Sequence, residues 1–275
     1  MSKKQTGDAL IRELQIKPGK RARLRDKDAG QAFGWEKEEA ETLLNEYRAK
    51  LEELQYKLYA DGRFAVLVVL QGIDAGGKDG TCRHVISAFN PQGCTVTSFK
   101  APSAEELKHD YLWRIHKEVP PRGSVGVFNR SHYEDVLIVR VDKLAPKEVW
   151  SRRYDQINRF ERMLTENNVH VVKCFLQISA DEQKKRFEER LNDPSKQWKF
   201  STEDLAKRKQ WDDYRSAFED ALTKCSTEWA PWHVIPADKK WFRNLAVAQL
   251  LVTELSRLPL RYPDPKFDPA KVRIR

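Results

Sequence analysis

The sequence predicts an α/β fold in which a parallel sheet is covered by helices on both faces. Five short segments, each typical of a strand and most of them apolar, alternate along the chain with segments of helical periodicity. The first run, RFAVLVVLQG at 63–72, consists almost entirely of β-branched residues and leucines, as expected for a strand buried on both faces. With 275 residues, 40% of them hydrophobic, the chain is long enough for one large domain with additions.

The other elements follow from the same periodicity. Leucines and a tyrosine at helical spacing predict a long helix over 34–59, ahead of the first strand. A helix is expected over 77–89, where it begins inside a glycine-rich loop, and another over 104–117. The four later strands are expected at 94–99, 123–131, 169–179 and 232–238.

The net charge of +9 is concentrated at the two ends of the chain. Residues 1–34 contain nine Lys or Arg against four Asp or Glu, and residues 257–275 contain six against two. The remaining 35 basic and 35 acidic residues cancel. We therefore expect a basic arm at 1–34 and a basic tail at 263–275 on a domain that spans 35–262. Basic ends suit an anionic ligand, but they also suit solubility alone, and charge does not distinguish the two.

Several kinds of site and location are not supported by the sequence. The four cysteines are far apart, form no C-x-x-C pair and are expected to be reduced. The six histidines show no zinc-ligand spacing. The first residues lack the apolar segment of a signal peptide, and no stretch reaches the roughly 18 apolar residues of a membrane helix. A soluble cytoplasmic protein is expected.

The segment GIDAGGKDGT at 72–81 has the glycines and the lysine of a phosphate-binding loop. The spacing from Gly72 to Lys78 is that of the G-x-x-x-x-G-K-[ST] pattern, with a strand before it and a helix after it. Backbone N–H groups and the Lys78 ammonium would then surround a phosphate. Asp79 replaces the usual hydroxyl residue, either as a metal ligand or as a residue favoured at a helix N-terminus. The candidate phosphate contacts are Gly72, Ala75, Gly76, Gly77, Lys78, Asp79, Gly80 and Thr81.

Two acidic residues are candidates for a magnesium site. Asp74 lies inside an anion-binding loop, where a carboxylate makes sense with a metal between it and the phosphate. Asp135 belongs to FNRSHYEDV at 128–136, which follows the third strand and should reach the same crevice. Arg130 is placed to stabilise a transferring phosphoryl group. A simple helix-capping turn at Ser131 is the alternative. The other candidate contacts to nucleotide or phosphate in this segment are Asn129, Tyr133 and Glu134.

A long charged segment, about 181–228, separates the fourth and fifth strands. A break at 192–194 divides it into two polar helices, which would form either a lid over phosphates or an ordinary solvated hairpin. Arg186 and Arg190 share one helix face, so they would meet phosphates from above the loop or pair with nearby glutamates. Lys199 is a further cation of the lid, and Trp198 beside it is a candidate for stacking on a base.

Three motifs in this order resemble the family-2 polyphosphate kinases: GIDAGGKDGT, FNRSHYEDV and KRFEERLNDPSKQWKFSTEDL. The resemblance extends from about Gly19 to about Pro263. It implies a three-layer, thymidylate-kinase-like P-loop kinase fold with a helical lid and an N-terminal helical extension. It also implies phosphate transfer between inorganic polyphosphate and a nucleotide with Mg²⁺, for which Mn²⁺ would substitute. The family's functional loop residues correspond to Asp74 and Lys78, and Asp79 is a variant that is normal in the family.

One position departs from many members, which have Asp-Arg-Ser where this chain has Asn129-Arg130-Ser131. Metal binding at 129 is therefore in doubt, and Asp74 and Asp135 become the expected ligands. Glu134 in FNRSHYED resembles the subgroup that accepts AMP as well as ADP. Polyphosphate, AMP, ADP and ATP are thus the expected partners of a homo-oligomeric enzyme that binds neither nucleic acid nor membranes. The alternatives are an ATP-dependent P-loop kinase and a non-catalytic nucleic-acid-binding protein. The expected catalytic residues are Asp74, Lys78, Arg130 and Asp135, with Arg186, Arg190 and Lys199 on polyphosphate.

Overall fold

The predicted parallel sheet is present in the structure, a computed structural model that describes residues 7–274. Its five strands lie in the order β2-β3-β1-β4-β5, and every pairing is parallel. The central strand β1 is buried along its whole length, which explains its continuous apolar sequence. The strands are β1 (Ala65–Gln71), β2 (Cys94–Ser98), β3 (Val125–Asn129), β4 (Val169–Gln177) and β5 (Trp232–Pro236).

Helices cover both faces of the sheet and complete three layers. Successive side chains of β1 alternate between two hydrophobic clusters, so Val68 packs on one face and Leu67 on the other. This architecture confirms the P-loop kinase fold. The helices are α1 (Gly7–Leu14), α2 (Lys37–Asp61), α3 (Lys78–His84), α4 (Trp113–Lys117), α5 (Ile138–Val141), α6 (Lys147–Glu166), α7 (Ala180–Asn192), α8 (Thr202–Lys209), α9 (Trp211–Lys224) and α10 (Lys240–Arg257).

One predicted helix is largely absent. Of the segment 104–117, only α4 is α-helical, preceded by a single 3-10 turn at Glu106–Lys108. His109 is extended, and the carboxylate of Asp110 accepts a hydrogen bond of 2.9 Å from the backbone N–H of Leu112. This local side-chain bond offers the backbone an alternative to helical pairing, which the periodicity of the sequence does not reveal.

The segment predicted as a basic arm is partly built into the domain. Leu10, Ile11 and Leu14 of α1 are buried in the same cluster as α2 and α10, while residues 1–6 lie outside the described part of the chain, as does Arg275 of the tail. The boundaries at 34 and 263 stay a prediction. Between residues 7 and 274, no helix combines the length and apolar character needed to cross a membrane.

The charged segment between β4 and β5 forms three helices, α7, α8 and α9. The predicted break is present after α7, and Ser201 caps α8, because its hydroxyl accepts a hydrogen bond of 3.2 Å from the Glu203 N–H. No residue of α8 is buried, whereas α9 packs Ala217 and Phe218 into the core. No residue of 193–209 is buried, so this part of the predicted lid contributes nothing to the core.

Candidate active site

The phosphate-binding loop joins β1 to α3. Gly77 has φ of +107°, a conformation that side chains rarely adopt. Gly72 lies against β4, where an added Cβ would approach the Leu176 carbonyl oxygen to 2.8 Å. Ala75 also has a positive φ, of 63°, although it is not a glycine. Such strain is typical of functional loops that the surrounding fold holds in place.

Lys78 begins α3 and is buried beneath the loop. Its Nζ donates hydrogen bonds to the carbonyl oxygens of Gly72 at 2.5 Å and Ile73 at 3.4 Å. Burial and the nearby charge of Arg130 lower the pKa of Lys78 below its ordinary value. Within the described chain, no carboxylate forms an ion pair with this ammonium, so its charge is available to a phosphate.

Asp74 projects from the loop among positive charges. Its Oδ1 lies 2.7 Å from Arg130 Nη2, and its Oδ2 lies 3.8 Å from Lys207 Nζ on α8. Burial alone would raise the pKa of Asp74, but the charges of Lys78, Arg130 and Lys207 outweigh it and hold the pKa below its ordinary value. Asp74 is therefore ionised and connects the loop, the end of β3 and the lid.

The end of β3 contacts the end of β1 and the start of α3, on either side of the loop. The Arg130 N–H donates to the Leu70 carbonyl at 3.1 Å, and Arg130 has a positive φ of 64°. The Asn129 amide donates to Asp79 Oδ1 at 2.9 Å. The structure thus brings the two predicted motifs together, as the rule for the carboxyl ends of parallel strands requires.

Tyr133, a predicted nucleotide or phosphate contact, is directed away from the loop. The five residues His132–Val136 form a 3-10 helix, and the Tyr133 ring is fully buried. Its hydroxyl donates to Glu161 Oε1 at 2.8 Å and accepts from Lys173 Nζ at 2.8 Å. Tyr133 therefore belongs to a buried polar network with Glu161 and Lys173, and its contact with nucleotide or phosphate stays a prediction.

Asp135 is also separated from the loop. Its Oδ1 lies 2.9 Å from Arg153 Nη1, which also donates to the Asp135 carbonyl at 3.1 Å. Burial raises the pKa of Asp135 to about 6 despite the opposing charge of Arg153. The charge of Glu134, together with that of Asp74, acts on Lys78 and Arg130. In this structure Asp135 contacts Arg153, and its role as a metal ligand together with Asp74 stays a prediction.

The predicted lid cations have different surroundings. Arg186 is buried; it pairs with Glu182 at 2.8 Å and donates to the carbonyls of Ala75 and Ala237 at 2.8 and 2.6 Å. These bonds hold the back of the loop and use the donors that polyphosphate would need. Arg190 lies 3.7 Å from Asp204 on α8, and Lys199 is exposed.

The loop, the end of β3 and the lid enclose a cleft of about 680 Å³, called the loop cleft below. Ten basic and four acidic side chains line it, so its field favours a polyanion. The acids are Asp74, Asp79, Glu189 and Asp204; the basic residues are Lys78, Arg83, Lys100, Arg130, Arg186, Arg190, Lys196, Lys199, Lys240 and Arg243.

Sequence reasoning missed several charged residues around this cleft, among them Lys207, Asp204 and Arg243. Lys207 and Asp204 belong to an exposed polar helix with no motif that distinguishes them. The sequence did contain an indication of Arg243. This residue lies just before the apolar run LAVAQLLV of α10, and an arginine next to such a run is expected to be buried together with it. Tyr133 and Asp135, in contrast, are not among the residues that line the cleft.

Comparisons with known proteins agree with this geometry. The family model described as polyphosphate kinase 2 matches residues 34–260. The chain is 48% identical to the AMP/ADP-polyphosphate phosphotransferase of Meiothermus ruber over 96% of its own length and 100% of that protein. It is 47% identical to the ADP-polyphosphate phosphotransferase of Rhodopseudomonas palustris over 83% of each chain. A crystal structure of polyphosphate kinase 2 from Arthrobacter aurescens superposes with a TM-score of 0.92 and 47% identity, over 97% of this chain and 95% of that one.

Proposed function

The chain belongs to the polyphosphate kinase 2 family, and from this premise we propose that it transfers phosphate reversibly between inorganic polyphosphate and adenine nucleotides. The observation that carries the proposal is the loop cleft, where Lys78 and Arg130 face a space lined by ten basic and four acidic residues. A long phosphate chain needs this excess of positive charge along its path. The enzyme is a phosphotransferase, as its relatives are named.

Both AMP and ADP are proposed as acceptors. The relative from Meiothermus ruber is named for both nucleotides and the relative from Rhodopseudomonas palustris for ADP alone, at nearly equal identity. The sequence around Glu134 favours the wider range. Trp198 supports binding of a base, because its ring is 77% exposed, lines the loop cleft and lies 4.9 Å from Lys199 Nζ. A homo-oligomer remains a prediction.

A divalent metal ion, Mg²⁺ with Mn²⁺ as substitute, is part of the proposal. The donor set fits an ion shared with substrate, because Asp74 is ionised and Mg²⁺ is commonly held by one or two carboxylates together with phosphate oxygens. The described residues contain no group of three acidic, His or Cys side chains arranged to hold a metal by themselves. Asp74 would hold the ion, which would neutralise phosphate charge when bound. Asp135 is bound to Arg153 and is a weaker candidate.

The transfer itself can be assigned to the substrates and to the side chains that line the cleft. An oxygen of the acceptor's terminal phosphate attacks the end phosphorus of polyphosphate. The bond between that phosphorus and the bridging oxygen breaks, and the shortened chain leaves with the bridging oxygen. The attacking oxygen is already ionised at neutral pH, so the transfer needs no general base. Lys78 and Arg130 stabilise the negative charge on the transferring group, while Arg190 and Lys199 hold the chain from the lid.

The test is ATP formation from long-chain polyphosphate and Mg²⁺ with ADP, and formation of ADP and ATP with AMP. Lys78→Ala should abolish product, whereas Lys266→Ala, which removes an exposed cation of the tail, should not. Product from AMP would support the wider acceptor range. Phosphorylation of an acceptor by ATP but never by polyphosphate would reject the assignment in favour of an ordinary kinase. Tight binding of DNA or RNA without any transfer would favour the non-catalytic alternative.

A further inference from the structure

Arg243 lies directly against the phosphate-binding loop. It belongs to α10 and is only 3% exposed. A Cβ added to Gly80 would lie 2.9 Å from Arg243 Nη2, and a Cβ added to Gly77 would collide with Nη1. The guanidinium therefore occupies the space that glycine leaves open at the start of α3, and it lines the loop cleft.

No acidic partner compensates this charge. Within residues 7–274, the guanidinium donates only to Asn244 Oδ1, from Nε at 3.2 Å and from Nη2 at 2.7 Å, and it forms no ion pair. The charge that acts on it is that of another cation, Arg186. Burial without an anion lowers the pKa of Arg243 to about 10, which still leaves it charged at neutral pH. An unpaired buried charge destabilises a folded protein, so its presence requires a function.

The other buried cations show what that function is. Four Lys or Arg side chains are buried among the described residues: Lys78, Lys173, Arg186 and Arg243. Lys173 pairs with Glu161 and Arg186 with Glu182. Only Lys78 and Arg243 have no carboxylate partner, and both contact the loop. Lys78 is the loop lysine, whose partner in the reaction is a phosphate.

We propose that Arg243 is a second phosphate-binding residue of the loop, contacting the phosphoryl group held beside Gly77 and Gly80. The proposal rests on the proposed function in that the ligand is a phosphate chain or a nucleotide phosphate. Arg130 and Arg243 reach the loop from β3 and α10 respectively.

The ligand stays within the loop cleft. A second cavity of about 680 Å³ shares four lining residues with it, His84, Glu189, Lys240 and Asn244, and extends towards α2. That cavity is lined by five basic and four acidic residues, so it has nearly no excess charge to draw a polyanion onward. Arg243 therefore lies at the inner end of the part of the loop cleft that would hold the phosphate ligand.

The test separates a binding residue from a structural one. Arg243→Met removes the charge but keeps a similar length, and Arg257→Met is the matched control because it removes an exposed cation from the same helix. For each protein, the melting temperature is measured without ligand, with tripolyphosphate and with ADP. The kinetics of phosphate transfer are measured next. If Arg243 binds phosphate, Arg243→Met melts at or above the wild-type temperature without ligand. Its ligand-induced shift is reduced, and KM or kcat/KM worsens by about 10- to 100-fold.

The two ligands identify the source of the phosphate. Loss of the tripolyphosphate shift alone assigns Arg243 to the chain, and loss of the ADP shift alone assigns it to the nucleotide. A melting temperature several degrees below wild type with both shifts intact overturns the proposal, because Arg243 would then only support the loop. Arg243→Lys keeps the positive charge but lacks the planar guanidinium, so it should bind phosphate with intermediate strength. If Arg243→Met and Arg243→Lys both bind the two ligands as wild type does, the proposal is also overturned. The binding shifts need no turnover, so they can be read even if the proposed transfer fails.

Discussion

The side-chain amide of Asn129 donates a hydrogen bond of 2.9 Å to Oδ1 of Asp79. Asn129 ends β3, where the resemblance to the family's Asp-Arg-Ser motif predicts an acid, and Asp79 follows the loop lysine, where the common P-loop pattern has a hydroxyl. The two departures are therefore partners in space. One carboxylate and one amide form a hydrogen bond across the loop, whereas two carboxylates at this distance would repel each other.

This relationship gives a reciprocal test. Asn129→Asp should lower kcat/KM by roughly tenfold or more, because it places two negative charges beside Lys78 in place of a charge-assisted hydrogen bond. The exchange Asn129→Asp with Asp79→Asn should recover much of the loss, because it restores one donor and one acceptor. Initial rates with polyphosphate and ADP measure both variants. A single variant as active as wild type, or an exchange no better than the single variant, would show that the pair is not needed.

The collision between Arg243 and any side chain at position 77 leads to a second expectation. Gly77→Ala should lose stability and nearly all phosphate transfer, since the methyl group displaces the guanidinium. Gly62→Ala is the control: Gly62 also has a positive φ, of 65°, but no atom lies within 4 Å of an added Cβ. Backbone strain of about 1–3 kcal/mol is expected in both. Equal activity of the two variants, normalised to folded protein, would contradict the contact.

The buried pair of Lys173 and Glu161 should contribute to stability only as a pair. Lys173 Nζ lies 2.5 Å from Glu161 Oε2, and both side chains are inaccessible to solvent. Lys173→Met should lower the free energy of unfolding by about 3–5 kcal/mol, because it leaves Glu161 uncompensated. Adding Glu161→Gln should recover part of this loss, because it removes the uncompensated charge. The amide oxygen of the glutamine can still accept the hydrogen bond from the Tyr133 hydroxyl. Urea unfolding measures all three proteins, and a loss below about 1 kcal/mol in the single variant would refute the expectation.

Asp135 should make stability depend on pH near 6. Burial raises its pKa from 3.8 to about 6 in the folded protein, so the folded state holds the proton more tightly than the unfolded state. The contribution of Asp135 to stability is then greatest below pH 4, falls as pH rises to 6 and is constant above that. The melting temperature of wild type minus that of Asp135→Asn should be more positive at pH 5 than at pH 7.5. The opposite trend would mean that the charge of Arg153 outweighs burial.

The sequence by itself determined the sheet and the phosphate-binding loop. The apolar runs that became β1, β3, β4 and β5 reflect burial, and this pattern is carried by neighbouring residues, whereas the edge strand β2 is mostly exposed. Lys78 and the end of β3 could be placed together because parallel strands align their carboxyl ends. The predicted helix over 104–117 failed for a local reason, the side-chain hydrogen bond of Asp110.

Only the tertiary structure decided which side chains enter the loop cleft. Tyr133 and Asp135 lie beside Arg130 in sequence, yet the 3-10 helix directs them to Glu161 and Arg153. Arg243 contacts Gly77 from the last helix, far away in sequence. Side-chain direction depends on backbone conformation and on partners in distant segments, and neither leaves a periodic trace in the chain. The sequence could therefore identify the loop and its lysine but not the second arginine that lies against them.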